Sequence, residues 1–468
     1  MNLRLLAADA LTLPGLSEEH REGALTAVRT LTLVAFSALI VLSPFRARFE
    51  LAARPDAPVY GDYTDFLLFW SDLAFVAFLA LWGLGLVISG RMPSFGPAAI
   101  RWPVIGLLLV TWLSAAASID PALSAYNALR LTAAAALMIY VINEVDSVSK
   151  LAPALVALVV LQAVVGIGQA VDQESIGLHE LGEHRLEANV GGTSVVWSDE
   201  GPRQLRAYGL SDHPNILGGL LAVSLVLVAG SAARVRGLWI VPLAVVFALG
   251  CAALLLTFSR TGALALGLGF LLVLGLLAYW RDWRGAAAWG GVALGGVIVC
   301  LALVKPYGDE LWQRGVVLDP SEVSSTEARS LNEREALVKV SNDVFVARPL
   351  LGVGAGALPS AIKDKYPGFV YDYQPAHFAL LTVAAETGIA GGMTYAALIA
   401  VPFFLLWWRR RELTPELIGA SGALLAVTII GLLDYYTWSL APGRIWFWLV
   451  LGLWVGAYLR RREAPADA

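Results

Sequence analysis

Long apolar stretches alternate with short polar connections along almost the whole chain. About twelve stretches approach the roughly 20 residues that a helix needs to cross the hydrocarbon core of a bilayer. They lie near residues 24–44, 65–89, 102–118, 122–143, 150–171, 214–232, 237–257, 261–280, 286–304, 378–408, 416–435 and 443–459. The pattern predicts an all-α integral membrane protein with about 12 transmembrane helices.

Two polar loops are too long to be plain connections. They divide the chain into five predicted segments: N-terminal transmembrane helices 1–171, a loop 172–213, central transmembrane helices 214–304, a loop 305–376, and C-terminal transmembrane helices 377–468.

The second loop contains one stretch with helical spacing. Thr326 to Arg348 carries apolar residues on one side and charged residues on the other, which predicts an amphipathic helix on the membrane surface. Pro349 is expected to end this helix. The glycine-rich run after it, Gly352 to Gly356, is expected to form a flexible turn.

Composition agrees with a membrane protein. Of the 468 residues, 58% are hydrophobic and only 15% are charged, and the mean hydropathy is +0.68. A soluble protein of this length would carry more charge. The two cysteines, Cys251 and Cys300, lie inside apolar stretches, which excludes a disulfide framework and a cysteine-based metal site. The polar stretch 1–23 lacks the short apolar core of a removable signal peptide, so the first span is expected to direct insertion.

The distribution of lysine and arginine predicts the orientation. If the N-terminus is cytoplasmic, every cytoplasmic connection is basic: Arg91, Arg101, Lys150, Arg234, Arg236, Arg281, Arg284, Arg409 to Arg411 and Arg460 to Arg462. The loop 46–63, with three arginines on the outer side, is the one exception. Both termini are therefore expected in the cytoplasm, and both long loops on the outer side.

Charged residues at the outer ends of the spans are candidates for function, because charge in hydrocarbon is costly. The alternative is that each snorkels or pins a helix end through a salt bridge, and Asp434 and Arg444 could pair with each other in this way. Arg260 lies in a Ser-Arg-Thr-Gly turn so short that it needs no arginine for solubility, which favours function. For Arg130 both interpretations stay open.

Two histidines are candidates for proton transfer. His377 begins a span at the outer surface, and its ordinary pKa of about 6.5 lets it accept a proton at neutral pH. The alternative is an interfacial histidine that caps the helix. His213 precedes Pro214 at the start of another span, where it could instead belong to the helix start.

Gly352, Gly354 and Gly356 form a G-x-G-x-G run. No strand precedes it, so a dinucleotide-binding fingerprint is not supported. The run favours a hinge, or a close approach of the backbone to an anionic group.

The motifs that the chain lacks restrict the chemistry. It has no Walker A motif, no G-x-S-x-G, no histidine and carboxylate cluster with metal spacing, and no Asp-x-Asp pair in the outer loops. An enzyme of this kind would act without a metal or cofactor, on the outer face, where nucleotide-activated donors are unavailable. Its donor would be lipid-borne and already activated. Arginines would bind the phosphate oxygens, and a histidine would deprotonate the acceptor.

Four motifs in order resemble the O-antigen ligase and O-antigen polymerase superfamily. They are Arg206 and Gly209 with His213-Pro214-Asn215; Ser259 to Gly262; Arg334 with Pro349, Gly352 and Gly354; and His377 with Gly388 and Gly391. Phe378 replaces the polar residue that usually follows the histidine. Val338 replaces an expected aromatic residue, so Arg329 is the alternative to Arg334 in the third motif.

The resemblance implies transfer of a glycan from undecaprenyl pyrophosphate to a lipid A–core hydroxyl at the periplasmic face of the bacterial inner membrane. His377 would be the general base, and Arg260 and Arg334 would stabilise the leaving pyrophosphate, in one inverting displacement. Further substrate-binding residues would be Arg206, His213, Asn215, Arg329, Gly352 and Gly354. The expected partners are this donor, the lipid A–core acceptor and membrane lipid, with no metal and no nucleic acid.

Other functions stay open. An O-antigen polymerase or a protein O-oligosaccharyltransferase would use the same donor and residues with another acceptor. The chain ends soon after its last span, without a large appended acceptor domain, which favours the ligase. An anion transporter is disfavoured, because its charges would lie at mid-bilayer in paired interrupted helices.

Overall fold

A computed structural model describes residues 18–196, 203–234, 240–315 and 325–460. The helices are α1 Glu18–Leu42, α2 Gly61–Thr64, α3 Trp70–Ser89, α4 Ala98–Ala116, α5 Pro121–Glu144, α6 Ala152–Asp172, α7 Pro214–Ala232, α8 Ile240–Leu256, α9 Arg260–Tyr279, α10 Trp283–Gly315, α11 Ser325–Ala347, α12 Leu358–Lys365, α13 Ala379–Trp408, α14 Pro415–Leu433, α15 Tyr436–Ser439 and α16 Ala441–Arg460. Two 3₁₀ turns, Val148–Leu151 and His179–Leu181, and four short strands complete the described elements.

The predicted all-α membrane architecture is confirmed. Within the described ranges, ten helices are long and apolar enough to cross a bilayer. The other two predicted spans also fall on helices. One is α8, which has only 17 residues, and the other is α16, which carries Arg444 within its first turn.

The start of the predicted second span is wrong. Residues Phe66–Phe69 form a strand, β2, that pairs antiparallel with β1, Arg48–Ala52, from the arginine-containing loop. The helix begins only at Trp70, where the Asp72 side chain accepts a hydrogen bond from the Phe69 amide at 2.9 Å. An apolar run of four residues is equally compatible with a strand and a helix, and the distant β1 decides between them.

A second strand pair lies in the first long loop. Val195–Val196 pairs antiparallel with Gln204–Leu205, as β3 and β4. The acidic residues Asp199 and Glu200 of this loop lie outside the described residues.

The predicted amphipathic helix is present as α11. Its apolar side is buried against protein: Leu337 is fully buried, and Val340 and Val344 pack in a cluster with α12 and with Ala385 of α13. This cluster fixes the second long loop onto the helix bundle.

Two helices form the centre of the bundle. Nearly every residue of α7 and α16 is buried, which is the behaviour expected of helices that are apolar all round. The other long helices surround them and keep many apolar side chains exposed, such as Leu109 and Leu271. A membrane would cover these exposed faces.

The bundle has two chemically different ends. One end, called here the loop end, gathers the connections 43–69, 117–120, 173–196, 203–213, 257–259, 348–378 and 434–440. Contacts such as Arg54–Asp120 and the Ile119 amide to the Val353 carbonyl join these connections. The opposite end holds the basic connections, where Arg234 pairs with Glu416. Arg236, Arg461 and Arg462 lie outside the described residues.

Candidate active site

His377 lies at the loop end, two residues before α13 begins. Its imidazole is half-buried, and the ring packs edge-on against Tyr435, with 5.1 Å between the ring centroids. The Nδ1 atom is buried and makes no hydrogen bond to any described residue. Burial lowers the pKa of His377; the Asp434 carboxylate opposes this shift, and the Arg334 guanidinium adds to it. The imidazole is therefore neutral at pH 7 and has a nitrogen able to accept a proton.

A chain of hydrogen bonds runs from Tyr435 to the second long loop. Tyr63 donates to the Tyr435 hydroxyl at 2.7 Å, and Tyr435 donates to Gln374 Oε1 at 3.0 Å. Gln374 Nε2 in turn donates to Glu333 Oε1 of α11 at 2.9 Å. Because Arg334 follows Glu333, this chain holds α11 beside His377.

Glu333 itself titrates in an unusual environment. Burial raises the pKa of Glu333, although its hydrogen bond from Gln374 and the charges of Arg329 and Arg334 oppose the shift. Sequence reasoning missed Glu333, Gln374 and Tyr435. The one available signal was position, since Gln374 lies three residues before His377 and Tyr435 follows Asp434.

The two loop arginines differ in exposure. Arg334 is half-buried and close enough to His377 to lower its pKa, whereas Arg329 is exposed. The structure thus brings Arg334 and His377 together. The positive charge of Arg329 acts on Glu333 and lowers the pKa of its carboxyl group.

Arg260 is the first residue of α9, at the loop end, and is exposed. Ser259 caps the helix, with its hydroxyl accepting from the Gly262 amide at 3.2 Å. Gly262 is required because a Cβ there would lie 2.8 Å from the backbone of Gly218 in α7. A guanidinium at a helix N-terminus, where the helix dipole is also positive, suits an anionic group.

Arg206 is buried and joins three parts of the loop end. It donates to the Thr257 carbonyl at 2.7 Å, to Ser194 Oγ at 2.8 Å and to Asn215 Oδ1 at 2.6 Å. These contacts hold the side chains of Arg206 and Asn215 in place. They tie the Ser-Arg-Thr-Gly turn to the start of α7, and substrate binding by these two residues stays a prediction.

His213 is the N-cap of α7. Its Nδ1 accepts a hydrogen bond from the Asn215 amide at 3.1 Å, so a proton on the ring of neutral His213 is carried by Nε2. The Nδ1 atom of His213 therefore belongs to the helix start, as the alternative interpretation of this residue predicted. His213 also lines a cavity of about 200 Å³ between α5, α7, α13 and α16, called here the central cavity, together with Tyr435, Glu386, Ser439 and Arg444.

The glycine run forms a loop that hydrogen bonds join to α13, and its predicted flexibility stays a prediction. Gly352, Gly354 and Gly356 all have positive φ, of 69°, 106° and 80°. The Val353 and Gly354 amides donate to the carbonyls of Ala385 and Glu386 in α13, at 3.0 and 2.9 Å. The backbone here approaches α13 closely, and the amide of Gly356 points at the Glu386 carboxylate. Contact of Gly352 and Gly354 with substrate stays a prediction.

Gly388 explains how the loop can dock. It interrupts α13 with φ 78° and ψ −179°, a conformation that is essentially confined to glycine. The interruption lets the Ile389 amide donate to the Pro349 carbonyl at 2.8 Å.

The possible pairing of Asp434 with Arg444 does not occur. Arg444 donates to the Trp438 carbonyl at 3.0 Å and to Asn127 Oδ1 at 3.2 Å. The Asp434 carboxylate accepts from the Tyr435 amide and acts on His377. The short α15 turn separates the two charged side chains.

Arg130 is held by structural contacts. It forms a salt bridge with Asp72 at 2.7 Å and donates to the Tyr126 hydroxyl at 2.6 Å. Its guanidinium also lies over the rings of Phe69 and Tyr126. These contacts support the interpretation that Arg130 pins a helix, here to the β2–α3 junction.

Within the described ranges, no group of three or more histidine, cysteine, aspartate and glutamate side chains could hold a metal ion. In a comparison with known families, residues 243–396 match the family model described as O-antigen ligase. The match spans α8 to the first part of α13 and includes Arg260, Arg334 and His377. Comparison with curated proteins gave no match.

Proposed function

We propose a function from the premise that this chain is a member of the O-antigen ligase/polymerase superfamily, which the match over residues 243–396 supports. Membership of that superfamily supports a function in glycan transfer of the ligase or polymerase type, carried out by a multi-pass membrane protein. The proposal is that the protein transfers O-antigen glycan from undecaprenyl pyrophosphate to a sugar hydroxyl of lipid A–core. The loop end would face the periplasm of the bacterial inner membrane.

The environment of His377 carries the proposal. A general base must be unprotonated at working pH and must have a nitrogen available to the acceptor hydroxyl. Burial and the Arg334 charge lower the pKa of His377, so the imidazole is neutral at pH 7, and the ring as a whole is only half-buried. His377 would take the proton of the acceptor hydroxyl as its oxygen attacks the anomeric carbon.

The arginines would act on the leaving group. As the bond between the anomeric carbon and the pyrophosphate oxygen breaks, its electron pair stays on that oxygen, and negative charge develops there. Arg334, beside His377, and Arg260, at the N-terminus of α9, would stabilise this charge. Attack from the side opposite to the pyrophosphate inverts the anomeric centre. Because pyrophosphate is a good leaving group, the step needs neither an acid nor a metal.

A reconstituted transfer assay tests the proposal. Purified protein in detergent receives an undecaprenyl-pyrophosphate-linked glycan and lipid A–core, with a metal chelator, and the core is followed on a gel. We expect a ladder of larger core species. His377→Ala should abolish it, and Arg260→Ala should slow it by about 10²–10³-fold. The exposed loop residue His179 provides the control, since His179→Ala should keep full activity.

The products distinguish the ligase from its relatives. Elongation of the lipid-linked glycan with an unchanged core would mean a polymerase. Transfer to an added pilin-like protein alone would mean a protein O-oligosaccharyltransferase. Normal transfer by correctly inserted His377→Ala would overturn the role of His377 as the base.

A further inference from the structure

Three residues that line the central cavity each carry one buried polar atom with no hydrogen-bond partner among the described residues. These atoms are Glu386 Oε1, Ser439 Oγ and Arg444 Nη1. Glu386 is 1% exposed and Arg444 is 6% exposed, so bulk water does not compensate either group. Buried polar groups are usually paired, because leaving one unpaired destabilises the fold. Three such atoms, on residues around one cavity, indicate a ligand that forms the missing hydrogen bonds.

The remaining atoms of these side chains are held in place. The Trp438 indole donates to Glu386 Oε2 at 2.7 Å, and Arg444 Nε donates to the Trp438 carbonyl at 3.0 Å. Arg444 Nη2 donates to Asn127 Oδ1 at 3.2 Å. The carboxylate and the guanidinium are thus fixed around one tryptophan before any ligand binds, which reduces the entropy lost on binding.

The unpaired atoms together fit hydroxyl groups. A carboxylate oxygen only accepts, a guanidinium only donates, and a serine hydroxyl does both. A ligand hydroxyl can donate to Glu386 and accept from Arg444. A phosphate could not donate to Glu386. The other arginines that line the cavity are already paired, Arg48 with Asp62 and Asp212, and Arg130 with Asp72.

Size and surroundings narrow the ligand to a single ring. The cavity holds about 200 Å³, below the about 300–1,000 Å³ of pockets for drug-sized molecules. The aromatic side chains of Phe69, Tyr126 and Tyr435 form part of its wall. Tyr435 also contacts the His377 ring, so a ligand in the cavity would lie next to the proposed base.

We propose that the central cavity binds one sugar ring of a glycan substrate, through hydrogen bonds from its hydroxyls to Glu386, Ser439 and Arg444. This inference rests on the proposed glycan transfer and adds a sugar-binding subsite to it. The ring could belong to the donor glycan or to the acceptor core, and both present the same hydroxyl chemistry.

Steady-state kinetics of two variants tests the subsite. Ser439→Ala removes one unpaired hydroxyl and should raise the KM of one substrate by about threefold to tenfold, with kcat unchanged, because uniform binding is lost. Glu386→Gln should raise it by about tenfold to a hundredfold, since it removes a charged acceptor. A rise confined to the donor KM assigns the ring to the donor, and a rise confined to the acceptor KM assigns it to the core.

Matched controls are present in the chain. Ser341 is fully buried with an unpaired hydroxyl but lies in α11, away from the cavity. Glu183 is a buried carboxylate bonded to Gln169 and to the Ile176 amide. Ser341→Ala and Glu183→Gln should leave both KM values unchanged. Unchanged KM values in folded Ser439→Ala and Glu386→Gln would overturn the subsite.

A binding measurement separates this inference from the proposed function. Free oligosaccharides released from the lipid-linked donor and from lipid A–core are each mixed with the purified protein, and saturation transfer to the sugar protons is recorded by NMR. Wild-type protein should give a signal that Ser439→Ala and Glu386→Gln weaken and Ser341→Ala keeps. Such a signal without any transfer activity would support the cavity and overturn the function. A signal equal in all four proteins, or absent from the wild type, would overturn the cavity.

Discussion

At the scale of the residue, His377 is subject to opposing electrostatic effects. Burial and Arg334 lower the pKa of its imidazole, while Asp434 raises it. Asp434 and Arg444 are close enough in sequence to pair, but Asp434 acts on His377, and Arg444 contacts Trp438 and Asn127. The partner of a charged side chain near a helix end is decided by the turn geometry, which spacing along the chain does not specify.

The pH dependence of transfer tests these effects. A base works only when unprotonated, so kcat/KM should rise with pH through the pKa of His377 and level off above it. Because this pKa is lowered, the acid limb should lie below the ordinary value of about 6.5. Asp434→Asn removes the charge that raises the pKa, so its acid limb should move to still lower pH.

Arg334 provides the opposite test. Arg334→Gln removes a charge that lowers the pKa of His377, so its acid limb should move to higher pH even though its maximal rate falls. An acid limb that both variants leave in place would show that His377 is not the group whose titration limits the rate.

At the scale of the element, the interruption of α13 organises the site. The segment from Pro349 to Gly354 docks where Gly388 breaks the helix, through hydrogen bonds to Ala385, Glu386 and Ile389. This docking places α11, with Arg334, beside the start of α13, and α11 adds its buried valines to the same cluster. The glycine run and Gly388 thus lie on the two sides of one contact.

Replacement of Gly388 should undo this contact. Alanine has an energy cost of about 1–3 kcal/mol at a φ and ψ that only glycine adopts readily, and its Cβ would collide with the Leu350 carbonyl. We expect Gly388→Ala to lower the unfolding temperature in detergent and to expose the 349–356 segment to protease. Gly267, in α9 with open space around it, is the control. Equal stability of Gly388→Ala and Gly267→Ala would show that the interruption is not required.

At the scale of the whole molecule, the two ends of the bundle differ in chemistry. The loop end carries His377, Arg260, Arg334 and the central cavity. The opposite end carries the basic connections with Arg91, Lys150, Arg234 and Arg409 to Arg411. Because basic connections stay in the cytoplasm, the loop end is predicted to face the periplasm.

Single cysteines test this orientation. In a variant with Cys251 and Cys300 replaced by alanine, Asp364→Cys lies at the loop end and Ser149→Cys at the basic end, and both side chains are exposed. A thiol reagent that passes the outer membrane but not the inner membrane should label Asp364→Cys in intact cells. It should label Ser149→Cys only after the inner membrane is opened. The reverse pattern would place the proposed active site in the cytoplasm and exclude a periplasmic transfer.

The sequence by itself determined the helical membrane architecture, because the length of an apolar run and the positions of proline are local properties of the chain. An apolar run of about 20 residues is long enough to cross a bilayer as a helix. The sequence also located α11 and the start of α7 from such local properties. It also singled out His377, Arg260 and Arg334 by residue type and motif spacing. Their roles are still predictions.

Only the tertiary structure decided which groups meet. The strand at Phe66–Phe69 depends on β1, the interruption at Gly388 depends on the docked loop, and the partners of Arg206 come from three separate segments. The central cavity depends on Asn127, Glu386 and Arg444, which lie on three helices far apart in the chain. Such contacts are set by the packing of whole elements, and no local pattern of residues encodes them.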